Sequence, residues 1–226
     1  MLLNLLTNKG HRLKSIPDSW DSKHLTLEMF QNIVRWGQEE KKDIVKLFSI
    51  VSEIEYDKLY NLRDSEFEDK LFQATRFVGT DPNYSKSPLR SIRLKDRVGY
   101  KTAVLIPKRT AALSIGQSIL VRQKLDECKV YEEAMSYACA IYLQPLLDRT
   151  VFDIDRAMII EKQILKMPAK EIYPLGFFLL SPLMKTGGSF MKEVSRIFRQ
   201  GWNSFITRGR QLVRLQKSTG LNPSRT

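Results

Sequence analysis

His11 and His24 are the chain's only imidazoles, and they stand on either side of Trp20. A histidine pair can ligate a metal or carry a proton, but metal ligation draws on a Cys/His cluster at short spacing, and neither residue sits in one. Carboxylates gather at Asp148, Asp153 and Asp155, and at Glu66, Glu68 and Asp69. General acid–base catalysis needs two such groups held in different environments. These fall at helix starts or in charge-rich stretches, which reads as solvated caps. The sequence contains no G-x-S-x-G elbow, no Walker A loop and no G-x-G-x-x-G. Ser114-Ile115-Gly116-Gln117 reads as a helix start, although its first N–H groups could face an anion. The expectation is a non-enzymatic protein with no cofactor and no metal.

The basic residues carry more information. Residues 85–110 hold eight Lys or Arg against one Asp, and residues 181–226 hold nine against one Glu. The whole chain is +12, so the remainder is slightly acidic. A polyanion or an acidic partner would meet these two segments first. The contact residues expected are Arg90, Arg93, Lys95, Arg97 and Lys101 in the first, and Arg196, Arg199, Arg208, Arg210 and Arg214 in the second. Phosphate binding would need these cations on one face, with aromatics for single strands; Tyr84 and Tyr100 flank the first segment. The second joins its arginines to a stripe from Phe190 through Trp202 to Val213, which suits a membrane surface, a partner or the rest of the chain.

These segments must be held by a folded body. Leu27, Phe30, Ile33 and Val34 recur at helical spacing, with Thr26 as N-cap, Leu25 and Phe30 as a hydrophobic staple, and Gly37 as a stop. Ile44, Val45, Leu47, Phe48, Ile50 and Val51 form the next apolar face. Ser52 with Glu55, and Ser65 with Glu68, have capping-box spacing. Asp81-Pro82-Asn83 and Ser87-Pro88 break helices; Ile92-Arg93-Leu94-Lys95 alternates and Tyr100 to Ile106 is rich in strand formers, which reads as a short β-hairpin or ribbon with Gly99 near its turn.

Helices return at Ser114, with Ile119, Leu120 and Leu125 as apolar members. A helix over 131–143 is expected to end at Pro145. Another starts at Asp153 or Asp155, holding Met158, Ile159, Ile164 and Leu165, and a core helix opens near Pro168. Cys128 and Cys139 are expected as free thiols on one side of a helical region, which suits a reducing compartment. The leading residues lack the features of a signal peptide, and no uncharged run reaches membrane-spanning length.

The fold class expected is therefore mainly α. Residues 1–80 form a helical subdomain, 81–112 a basic hairpin or linker, 113–186 a second helical subdomain, and 187–226 a long basic amphipathic helix with a loose tail. The N-terminal anchor is Ile16-Pro17-Asp18-Ser19-Trp20: Pro17 fixes the turn, Asp18 and Ser19 bond nearby amides, and Trp20 pins the turn onto the helix containing Phe30.

The Ile16–Trp20 run followed by Leu25-Thr26-Leu27-Glu28-Met29-Phe30 resembles the opening of small tailed-bacteriophage proteins grouped with tail assembly chaperones. Leu113–Gln117, Phe152-Asp153, Leu165-Lys166-Met167-Pro168 and Tyr173-Pro174-Leu175-Gly176-Phe177-Phe178-Leu179 resemble the same group in the same order. The likeness covers roughly residues 13–183, and the segment after 185 departs from it. It implies a morphogenesis protein acting in the host cytoplasm, which binds a tape-measure protein or tail-tube subunits. The alternatives are a virion structural or cargo protein touching neighbouring subunits or packaged DNA, and a nucleic-acid-binding protein outside any particle.

Overall fold

The computed structural model describes residues 16–61, 71, 73–80, 82, 84, 90–106, 113–128 and 130–183. The Ser65/Glu68 spacing and the C-terminal basic segment, with Arg196, Arg199, Arg208, Arg210 and Arg214, lie outside the described residues. The fold is mainly helical with one two-stranded antiparallel hairpin.

Helix α1 (Leu27–Gly37) begins where Thr26 Oγ1 accepts the Met29 N–H at 3.2 Å. Leu25 and Phe30 are both fully buried over its first turn, as the staple requires. At its far end Lys42 donates to the carbonyls of Trp36 and Gly37, where a cation is favoured. Asp43 caps α2 (Ile44–Ser52): Oδ1 accepts the Val45 N–H at 2.8 Å and Oδ2 the Tyr56 hydroxyl at 2.6 Å. Ser52 opens no helix. The apolar run carries α2 through it, and its hydroxyl donates to the Phe48 carbonyl at 2.7 Å. Helix α3 (Tyr56–Tyr60) starts from Glu55 with no side-chain cap.

Strands β1 (Ser91–Lys95) and β2 (Lys101–Leu105) pair from Ser91 opposite Leu105 to Lys95 opposite Lys101. Gly99 has φ +94°, a region that favours glycine, and it makes the turn where expected. Asp96 shapes the same turn: Oδ1 accepts the N–H groups of Val98 and Tyr100 at 2.9 and 3.0 Å, and Oδ2 accepts the Thr102 hydroxyl at 3.0 Å. Ile92, Leu94, Val104 and Ile106 all point into the core.

The second half is α4 (Ile115–Glu127), a 3₁₀ turn (Tyr131–Ala134), α5 (Met135–Asp148), α6 (Ile154–Leu165) and α7 (Ala169–Leu180). Ser114 and Gln117 form the expected capping box, and Asp153 caps α6. On α4 the inward residues are Gln117 and Val121 while Ile119 faces solvent; on α6 they are Ala157, Ile160 and Ile164 while Met158 and Ile159 face out. Where apolar residues run consecutively, periodicity does not choose between neighbours. Cys128 lies at the end of α4 and Cys139 inside α5, so the two free thiols belong to separate elements.

Pro145 does not end α5, which continues to Asp148. Proline has no N–H to give the carbonyl four residues back, so the Ile141 carbonyl loses its helical donor. Gln117 Nε2 supplies one at 2.9 Å from α4. One glutamine thus completes the capping box with its oxygen and repairs α5 with its nitrogen. Gln117→Leu is expected to cost about 1–3 kcal/mol, read as a shifted urea midpoint, because it strands a buried carbonyl. An unchanged midpoint would show that Ile141 finds another donor.

The two halves meet through the chain's own backbone. The Leu27 N–H donates to the Met167 carbonyl and the Ala169 N–H to the Leu25 carbonyl, each at 2.8 Å, making a single bridge between Thr26 and Pro168. Helices α5 and α7 approach closely because Gly176 is bare: a Cβ there would stand 2.9 Å from Met135 Cβ. Among the described residues, no helix is long and apolar enough to cross a membrane.

Candidate interaction surface

The anchor residues are core. Pro17 is buried, Trp20 is 4% exposed, and Phe30 is fully buried. Trp20 meets Phe30 and Phe77 edge-on, with ring centroids 5.8 and 5.3 Å apart. Its indole N–H donates to the Thr80 carbonyl at 2.8 Å. Tyr84, considered as a stacking aromatic, belongs here instead: its hydroxyl donates to the Trp20 carbonyl at 3.0 Å and its ring packs on Phe30 and Tyr173. Burial first, with the Asp21 charge added, pushes its phenol far above the ordinary range.

A shallow cleft beside the anchor is lined by Asp18, Ser19, Trp20, Asp21, Arg76, Phe77 and Thr80. Its polar groups come from the turn and from Arg76 and Thr80, and the Ser19 hydroxyl donates to Asp18 at 3.3 Å. Among the described residues no three of His, Cys, Asp or Glu are placed to hold a metal.

A second polar cluster lies deep between α1, the 3₁₀ turn and α5. Gln31 Nε2 donates to the Glu132 carbonyl at 2.7 Å and approaches the Ser136 hydroxyl at 3.4 Å. The Glu132 carboxyl is buried, and its Oε1 has no hydrogen-bond partner among the described residues. Burial pushes this carboxyl up to about 7; its own backbone N–H opposes the shift, and the Glu133 charge adds to it.

The stability consequence has a definite sign. The unfolded carboxyl titrates near 4.5, so the folded state holds an extra proton between there and about 7. The penalty is absent below that window and complete above it. Stability should therefore fall across the window by up to about 3 kcal/mol, and Glu132→Gln should abolish that dependence. The variant should melt above the parent at about pH 8 and together with it at about pH 4.5. Parallel pH profiles would show that Glu132 is charged when folded.

Of the first basic segment, Arg90, Arg93, Lys95, Arg97 and Lys101 are all exposed. Arg93, Lys95 and Lys101 share the solvent face of the hairpin, with Lys95 directly opposite Lys101. None of the three has an ion pair among the described residues. Arg97 differs: it reaches Asp148 at 3.4 Å and Asp153 at 3.2 Å, so it fastens the hairpin to the body. Apolar groups stand among the cations, Tyr100 at 72% and Leu105 at 75% exposure, with Val98 at the tip.

Asp148 is the functional surprise. It is no solvated cap: its side chain is 1% exposed and takes the Arg156 guanidinium at 3.0 Å. Burial alone would raise this carboxyl, but the bonds from Arg156, Gln144 and Arg97 outweigh it and hold it below the usual carboxylate range. Arg156 also donates to the Lys95 carbonyl at 3.0 Å, and Gln163 Oε1 accepts the Lys95 N–H at 2.8 Å. The cationic strand face is therefore a fixed platform. Sequence did carry one signal: an acid at the C-terminal end of a helix opposes the dipole, so it calls for a cation nearby.

Comparison with known proteins finds no matching family model, no matching curated protein and no matching solved structure.

Proposed function

We propose that the chain is a non-enzymatic interaction protein, a bacteriophage morphogenesis factor akin to a tail assembly chaperone, that engages other phage structural proteins through its hairpin. The resemblance of the segments around Trp20, Gln117, Pro168 and Gly176 supports the family. The observation that carries the interaction reading is the hairpin face: Arg93, Lys95 and Lys101, without ion pairs among the described residues, stand among exposed Val98, Tyr100 and Leu105 on a strand pair bolted to α6. Cations mixed with exposed aromatic and aliphatic groups suit protein contact. An assembly factor acts in the host cytoplasm and leaves.

Mass spectrometry of purified particles tests this. The chain should be missing from mature virions and should co-purify from infected cells with a tape-measure or tail-tube protein. Replacing Arg93, Lys95 and Lys101 by glutamate should abolish that association. A fixed copy number per particle would sink the chaperone reading.

The exposure of Tyr100 beside Lys101 favours one second reading, a virion protein touching packaged DNA. That reading requires affinity for DNA that falls steeply with salt.

A further inference from the structure

The hairpin has two outer edges, and the fold treats them differently. The Ile106 N–H donates to the Arg90 carbonyl at 2.9 Å and the Asp96 N–H to the Tyr100 carbonyl at 3.0 Å. Even-numbered residues therefore exchange the ladder bonds, and the odd-numbered ones aim their N–H and C=O groups outward. On β1 the outward groups of Lys95 are taken by Gln163 and Arg156 of α6. On β2 the outward groups belong to Lys101, Ala103 and Leu105, and among the described residues nothing hydrogen-bonds to them.

All three residues are exposed. An open edge is a template for another strand, and proteins ordinarily blunt theirs with charge, proline, a bulge or a cover. Lys101 is the only such device on β2, at one end. Ala103 and Leu105 leave the rest small, flat and apolar.

We propose that the β2 edge is a docking site for an extended segment of a partner protein that carries acidic side chains at alternate positions and adds as a third strand. This rests on the hairpin being the contact surface. Main-chain bonds to Lys101, Ala103 and Leu105 would supply affinity, and the alternate side chains specificity. Charge selects the occupant. The incoming solvent-face side chains would lie beside Lys101, with Lys95 and Arg93 one strand further. Lys95 and Lys101 repel each other across the ladder, and an acidic neighbour relieves that repulsion. A second copy of β2 would add cations to a cationic face, on a chain already at +12.

The probe is a capped peptide of alternating glutamate and valine, titrated against the full chain and followed by backbone amide exchange. The N–H groups of Lys101, Ala103 and Leu105 should become protected. Ala103→Pro removes one outward donor and no ladder bond, so it should melt within about 3 °C of the parent and bind at least about tenfold more weakly. If that variant unfolds, amide protection in the parent decides alone. Binding lost in K95E and K101E but kept in Ala103→Pro would overturn strand addition and leave the cationic-face reading standing. Binding indifferent to every variant would overturn both. Preference for a control peptide of alternating lysine and valine, capture of an oligothymidylate instead, or self-association that blocks the peptide would each overturn the acidic-strand proposal.

Discussion

Trp20→Ala is expected to lower unfolding free energy by about 3–5 kcal/mol, the range for deleting a buried large aromatic. Three losses combine. The indole gives up its edge-on packing with Phe30 and Phe77. The Thr80 carbonyl loses its donor. A cavity opens where Tyr84, whose hydroxyl bonds the Trp20 carbonyl, meets α1. Because Phe30 also packs on Tyr173 in α7 at 5.3 Å, the damage should reach the C-terminal half. Hydrogen exchange should therefore quicken in both α1 and α7. A negligible change in melting would mean that Trp20 is a contact residue rather than an anchor. Trp20→Phe should recover much of the packing and none of the Thr80 bond, which separates the two contributions.

Asp148→Ala is expected to cost about 3 kcal/mol, while Arg97→Ala should cost under about 1. The contrast follows from exposure. Arg156 is 11% exposed and would be left as an uncompensated buried cation, whereas Arg97 is half in water and can relax there. The carboxyl's depressed pKa gives the pH sign. Its stabilisation is present above the unfolded value near 3.8 and disappears as pH falls through the lower folded value. The parent should thus lose more stability than Asp148→Ala on strong acidification. Since Arg156 also holds the Lys95 carbonyl, the variant should loosen the hairpin before the helices. Equal losses for Asp148→Ala and Arg97→Ala would refute the buried-pair account.

What was legible in the sequence follows the reach of each interaction. Thr26, Asp153 and the Ser114–Gln117 box are local and were readable from neighbours a few residues away. Gly99 announced its turn because few other residues tolerate its backbone. Pro145 departs from its local rule, ending a helix, because a remote donor, Gln117, takes the freed carbonyl, and no spacing reveals that target. Asp148 departs from the solvated cap expected of it for the same reason: its partners come from α6 and the hairpin tip. On the candidate surface, strand alternation correctly grouped Arg93 and Lys95 on one face, but it could not show that Arg97 turns inward to fasten the tip. The difference between the two strand edges was invisible, since it depends on which edge α6 reaches.

The bridge between Thr26 and Pro168 also sets a clock. A ribosome delivers Trp20 and α1 early, yet Met167 and Tyr173, which complete their hydrogen bonds and cover Phe30, are made near the end of the described chain. Until Tyr173 emerges, then, the Phe30 ring waits without one of its partners, in the state where nascent chains are most exposed to misassociation. Stalled nascent chains ending before residue 168 should be cut readily within α1, and chains that extend past α7 should resist. Folding of the described residues is therefore a late event, and α1 is translated well before the elements that secure it.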